Sequence, residues 1–309
     1  MKRIFALLLF LNMIQIFSSC EDNEAILSAQ KGEITIYLLE GEETGDNEIE
    51  NIKHWISTDE IDFYDYSTHI VYLKDTLAPD ENQYDDFLWK RFALYANGKK
   101  CYEGVFWSLM LSSFPSAPSI DIPSIFYPKD VLRINKYYAD TDENDRRNNE
   151  QLKAALIASG KYRGGLECTL ANVQISDHSI SYTYTLKSHD SDNLFVLDPE
   201  KMGADLFHYY TNGVSLYNPE TEKGYYSEQH EKPEVDWELS WFSPLKRNSS
   251  MTRTVVQKGF DYIPAGEYEC RFVFPAHNHI EKRERYQEID NVNGRIWLGD
   301  KVCKIEAEK

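Results

Sequence analysis

The sequence predicts a mainly β protein with some α, built as an N-terminal α+β region followed by a β-sandwich, and three observations carry that reading. The second half holds seven short stretches rich in β-branched and aromatic residues, separated by turn residues with no helical periodicity between them. The first half mixes alternating apolar stretches with segments that bear helix-start signals. The composition, 42% hydrophobic and 14% aromatic over 309 residues, supplies a packed core and excludes a disordered chain.

At the N-terminus, Lys2 and Arg3 precede an apolar run from Ile4 to Leu11 that continues to Phe17 and ends in Ser18-Ser19-Cys20. A basic start, an apolar stretch of ~7–15 residues and small residues before a cut predict an export signal over residues 1–19; a spanning helix needs ~20 largely apolar residues. Ser18-Ser19-Cys20 resembles the lipobox of bacterial lipoproteins, and Glu21, Asp22 and Glu24 are similar to the acidic stretch that follows it in surface lipoproteins of the Bacteroidetes type. The resemblance implies that Cys20 is lipidated and becomes the mature N-terminus. Residues 20–32 then form a lipidated tether, and the protein is exported and held at the outer membrane by acyl chains. The cut removes the charges of Lys2 and Arg3, which takes the net charge from -18 to -20. So acidic a chain, with no Lys/Arg cluster of the usual five to eight, has no nucleic-acid partner.

Residues 33–135 form the α+β domain. Ile34, Ile36 and Leu38 alternate as a strand, as do Ile70 and Tyr72. Ser57-Thr58-Asp59-Glu60 reads as a helix start, and Pro79 to Arg91 as a second helix with Tyr84, Phe87, Leu88 and Arg91 on one face. Phe92 to Tyr95 and Cys101 to Phe106 flank Asn97-Gly98, the strongest two-residue hairpin signal. Residues 136–150 read as a charged linker, since no apolar residue lies between Ala139 and Leu152.

Residues 151–309 follow as a helix from about Glu150 to Ser159, closed by Gly160, and then the sandwich. Its seven strands are Leu166 to Ile175, Ser179 to Leu186, Phe207 to Tyr217, Trp237 to Phe242, Thr252 to Lys258, Glu267 to Phe274 and Arg295 to Ile305. Ile263-Pro-Ala-Gly-Glu-Tyr268-Glu-Cys270 resembles the corner before the penultimate strand of immunoglobulin-like domains, where a Tyr stands two residues ahead of a Cys. The resemblance implies an immunoglobulin-like β-sandwich. The partner cysteine of such domains is missing from Ser179 to Leu186.

Without Cys20, four cysteines remain, Cys101, Cys168, Cys270 and Cys303, and they allow three sets of pairings. Cys270 and Cys303 lie on the last two candidate strands and form the candidate disulfide; buried free thiols are the alternative. His277-Asn278-His279 reads as a polar loop, and Asp140-Thr-Asp142-Glu-Asn144 lacks the glycine and the closing glutamate of a calcium loop, so neither is taken as a metal site. Catalytic elbows, zinc helices and phosphate loops have no match, and no cofactor is implied. The remaining lead is aromatic: Tyr209, Tyr210, Tyr225, Tyr226, Trp237 and Trp241 could stack on a glycan or anchor a protein partner. The expected function is a non-enzymatic binding or assembly module; the alternatives are an envelope glycan- or protein-processing enzyme and a protease inhibitor.

Overall fold

A computed structural model describes residues 32–40, 51–75, 83–124, 127–137, 139–140, 144–228, 238–275 and 285–309. Cys20, the export signal, most of the tether, Trp237, His277 and His279 lie outside the described residues. The protein is mainly β with some α, as the sequence predicts.

The first part contains β1 (Ile34–Glu40), β2 (Asn51–Ser57), β3 (Ile61–Asp65), β4 (Ile70–Leu73), α1 (Tyr84–Phe87), β5 (Arg91–Ala96), β6 (Lys99–Trp107), β7 (Ser119–Asp121), β8 (Val131–Asn135), α2 (Glu150–Ala158) and β9 (Tyr162–Arg163). Its strands form a nine-stranded sheet in the order β2-β1-β5-β6-β7-β8-β4-β3-β9. The Asn97-Gly98 hairpin is present, with both turn residues at positive φ as a primed turn requires.

Three expectations for this part are corrected. Ser57 to Glu60 is a turn between β2 and β3, because the Glu60 carboxylate accepts from the Ser57 amide (2.7 Å) and hydroxyl (2.8 Å) and closes the chain locally. Of the helix expected over Pro79 to Arg91, the described residues, which begin at Gln83, show only the four-residue α1; Trp89 at φ 67 follows its end and Arg91 already belongs to β5. Residues 136–150 are not a solvated linker in their described portion. Arg147 is buried, binds Asp145 at 2.6 Å and donates to the Ile134 carbonyl at 2.7 Å.

Helix α2 belongs with this first core rather than with the sandwich. Asn149 caps it by accepting from Gln151 and Leu152 amides at 3.0 Å, Gly160 takes the left-handed conformation beyond its end, and Leu152, Ala155 and Leu156 pack among Ile34, Ile36 and Leu94. β9 then joins β3 in parallel, so the first structural unit reaches Arg163.

The second part contains β10 (Leu166–Ile175), β11 (Ser179–Ser188), β12 (Leu194–Leu197), α3 (Pro199–Met202), α4 (Ala204–Thr211), β13 (Val214–Asn218), β14 (Lys223–Tyr225), β15 (Phe242–Leu245), β16 (Ser250–Lys258), β17 (Glu267–Phe274), β18 (Tyr286–Ile289), β19 (Val292–Ile296) and β20 (Lys301–Glu308). Sheets β10-β11-β16 and β14-β13-β17-β20 face each other, and a third sheet, β15-β12-β19-β18, adjoins them. The inward residues are those the alternation predicts. Ile180, Tyr182, Tyr184 and Leu186 of β11 meet Tyr268, Cys270, Phe272 and Phe274 of β17 in one core, with Tyr182 and Tyr184 each 5.3 Å from Phe272. The Tyr268 hydroxyl donates to the Pro264 carbonyl at 2.7 Å and pins the corner before β17.

Three strand expectations change here. Phe207 to Tyr217 is α4 followed by β13, divided at Asn212 and Gly213, both at positive φ; Phe207, Tyr210 and Thr211 share the buried helix face. Trp237 to Phe242 becomes, where described, a 3-10 turn over Leu239–Trp241 leading into β15. Arg295 to Ile305 is two strands, β19 and β20, split by the Trp297 to Asp300 segment with Gly299 at φ 101.

The two parts share a core. β3 and β4 bury both faces: Tyr64, Val71 and Leu73 point into the first core, while Phe63, Ile70 and Tyr72 join the core of the sandwich.

Candidate functional site

Among the described residues three places concentrate chemistry, and one of them meets solvent. The first is the joint between the two parts. Arg295 of β19 and the carboxylates Asp65 and Asp190 each have 0% side-chain exposure, and one guanidinium nitrogen of Arg295 donates to Asp65 at 2.8 Å and to Asp190 at 2.6 Å. The remaining carboxylate positions are taken: Asp65 accepts from the Ser67 amide and hydroxyl, and Asp190 from the Gly165 and Asp192 amides. Gly165, at φ 66, is required, because a Cβ there would lie 2.3 Å from an Asp65 oxygen. Phe63 and Tyr72 stack at 4.2 Å, and the Arg295 guanidinium lies 5.1 and 5.6 Å from their centroids. Two buried carboxylates could suggest hydrolysis, but these share one arginine and are sealed from substrate, so they act as a clamp.

The second place is the buried polar chain around His69. Its Nδ1 is 3.0 Å from the Tyr64 hydroxyl and its Nε2 is 3.2 Å from Asn148. Burial, with the Arg147 cation adding to it, pushes the His69 pKa well below its ordinary value, so the ring is neutral at pH 7. It joins β3 to the segment before α2.

The third place is the solvent-facing surface after β6. Residues 108–118 leave β6 and return to pair β7 in parallel beside it, with Val105 opposite Ser119. The Val105 amide donates to the Pro118 carbonyl (2.9 Å), Trp107 Nε1 to the Ser113 carbonyl (3.2 Å), and the Met110 amide to the buried Ser108 hydroxyl (3.2 Å). Gly104 permits this return, because a Cβ there would meet Pro118 O at 2.4 Å and the Phe92 ring at 2.3 Å. The held loop displays Met110 and Phe114, each 77% exposed, and Leu109 at 50%. Trp89, 57% exposed, packs edge-on against Trp107 at 4.9 Å and adds a fourth apolar side chain. Its φ of 67 is a conformation that a bulky residue adopts at a cost in backbone strain.

Beside this surface lies a cleft of about 710 Å³ lined by Arg91, Lys100, Glu103, Val105, Ser116 and Arg146 among others. Glu103 is bonded to both Arg91 and Lys100. That hydrogen bond raises the Lys100 pKa, while burial pushes the Cys101 thiol in the same wall up to about 11. Arg146 is paired with Asp140 through two hydrogen bonds of 3.0 Å, so each cation of the cleft has a carboxylate partner.

The aromatic residues singled out from sequence lie elsewhere. Tyr210, Tyr225 and Trp241 are buried, with Tyr210 on Trp241 at 5.3 Å and Tyr225 edge-on to Tyr268 at 5.7 Å; they fill the core of the sandwich. Tyr209 is half-buried against them, and Tyr226 is exposed. The surface that gathers apolar residues was missed, although it leaves a sequence signal: no charged residue stands between Glu103 and Asp121 in a chain that is 27% charged.

The four described cysteines, Cys101, Cys168, Cys270 and Cys303, are all free thiols in this structure. The register pairs Cys270 with Ile305 and Cys303 with Phe272, so the two thiols are diagonal neighbours, a Cα separation of ~7–8 Å where a disulfide needs ~4.4–6.8 Å. The expected pairing is corrected on that ground. Among the described residues no three His, Cys, Asp or Glu side chains are grouped to hold a metal ion.

No family model and no curated protein matches the chain. Solved structures that align with it include a selenomethionine-labelled β-glucosidase from Kluyveromyces marxianus, 12% identical over 48% of this chain and 15% of that one at a TM-score of 0.20. The glucose complex of that enzyme aligns at 10% identity with the same coverage and score.

Proposed function

We propose that the chain is an exported, lipid-anchored binding module, without enzymatic activity, that engages a protein partner through the surface formed by Trp89, Leu109, Met110 and Phe114. The observation that carries this reading is the display of three exposed apolar side chains, Leu109, Met110 and Phe114, on a stretch free of charge, with exposed Trp89 packed against Trp107 of the same stretch. Exposed apolar residues scattered singly are ordinary, whereas contiguous ones mark contact surfaces, and Trp with large apolar neighbours supplies most of the energy at such contacts. Export and anchoring rest on the signal at residues 1–19 and on Cys20.

Residues 164–309 are read as an immunoglobulin-like sandwich. Strand order β10-β11-β16 against β14-β13-β17-β20 and the Tyr268 corner support it. In this arrangement the sandwich carries the first unit, and the first unit does the binding.

The test separates the two parts of the proposal. Cys20→Ala should move the protein from the detergent phase to the aqueous phase, and unchanged partitioning would sink the lipid anchor. A Leu109→Ser/Met110→Ser variant should lose at least tenfold in affinity for a partner that a Val256→Ser variant, altered at an exposed residue elsewhere, still binds. Equal binding by both variants would sink the assigned surface.

A further inference from the structure

The fold brings two thiols together that sequence spacing left unpaired. β10 and β20 pack against each other across the sandwich, and the Cys303 thiol points at Cys168, its sulfur 3.0 Å from the Cys168 carbonyl oxygen. Both belong to the same core, Cys303 buried and Cys168 at its margin. A hydrogen bond with the Cys303 side chain holds the Cys168 thiol far above its ordinary pKa, and the same contact lowers Cys303, helped by the Lys301 cation and opposed by burial. The other two described cysteines differ: Cys270 is raised to about 11 by burial alone, and Cys101 lines the surface cleft in the first unit.

We propose that Cys168 and Cys303 form a disulfide that ties β10 to β20. The bond forms by thiol–disulfide exchange. The Cys303 thiolate attacks an oxidant disulfide, either an oxidoreductase or a small disulfide such as oxidised glutathione, and displaces one thiol. The Cys168 thiolate then attacks the Cys303 sulfur of the mixed disulfide and displaces the second thiol. Two electrons pass to the oxidant, whose two sulfurs leave as thiols carrying the two protons lost by the cysteines. Because Cys303 is closed off in the folded protein, the exchange belongs to folding, and the product is a structural bond. The pairing follows from the fold alone; its formation in the cell rests on the export reading.

The test takes the chain in two forms, purified without reductant from its own cells, and refolded from denaturant in a glutathione redox buffer. Free thiols are alkylated in denaturant and the unreduced peptides are mapped. The expected result in the refolded chain is one bridge, 168–303, with Cys101 and Cys270 alkylated. Its melting temperature should drop by several degrees on reduction, and by the same amount in Cys303→Ser, but not in Cys101→Ser. A 270–303 bridge, or four alkylated cysteines after refolding, would overturn the proposal. A bridge in the refolded chain with reduced thiols in the cellular one would uphold the pairing and overturn export.

Discussion

Arg295 is held where a cation has no water and needs anions instead. Taking its guanidinium, Asp65 and Asp190 out of water costs several kcal/mol per ion, and shared hydrogen bonds inside the low-dielectric joint return most of that. Deleting the cation alone leaves two carboxylates facing each other, so Arg295→Met should destabilise the protein by about 3–5 kcal/mol. The triple variant Asp65→Asn/Asp190→Asn/Arg295→Met should regain much of that loss. Urea unfolding midpoints check both, and a loss below about 1 kcal/mol for Arg295→Met would contradict the clamp. Asp198 behaves differently because it is paired with one cation and caps a helix. Burial raises its carboxyl pKa, but the two Arg253 hydrogen bonds at 2.7 and 2.8 Å, together with Ser243 and the Glu200 amide, outweigh burial and leave it below the ordinary value. A depressed folded-state pKa adds stability that is present above the unfolded value of ~3.9 and is lost as pH falls through the folded value. Asp198→Asn should therefore cost about 1–3 kcal/mol at pH 7, and its gap from the wild type should narrow below pH ~4. A gap of the same size at pH 7 and pH 3 would argue against this pairing.

The elements show which patterns physics writes into sequence. β11 and β17 were legible because each buries one face, so period-two alternation survives intact in Ile180 to Leu186 and Tyr268 to Phe274. α4 was read as a strand because its aromatic run, Phe207 to Tyr210, has strand-like composition, and its helical character rests on burial of Phe207, Tyr210 and Thr211 against the sandwich. The density of aromatics around Tyr210 and Trp241 is compatible with a recognition face or a core, and the fold buries both in the core of the sandwich. The exposed loop has no periodicity to read, since it is shaped by single contacts such as the Gly104 approach to Pro118. Gly104→Ala should force that contact apart, lower stability by about 1–3 kcal/mol and change the fluorescence of Trp107. An unchanged melting temperature and spectrum would mean that the loop does not depend on the close approach.

At the scale of the whole molecule, the described residues of the two parts share one core. The charged stretch read as a linker is folded onto the first sheet through Arg147, and Phe63, Ile70 and Tyr72 belong to the core of the second part. Asp65 and Arg295 meet across 230 residues of sequence, a partnership that local pattern cannot encode. The joint ties the first sheet to the sandwich, and the loop between β6 and β7 of that sheet has its apolar residues turned to solvent. The most direct measurement replaces Met110 with a photoreactive residue in the intact anchored protein and, as a control, replaces Val256, also exposed but on β16. Illumination of living cells should give one discrete protein adduct from position 110 and none from position 256; adducts of equal yield at both positions, or none at 110, would contradict the assigned surface.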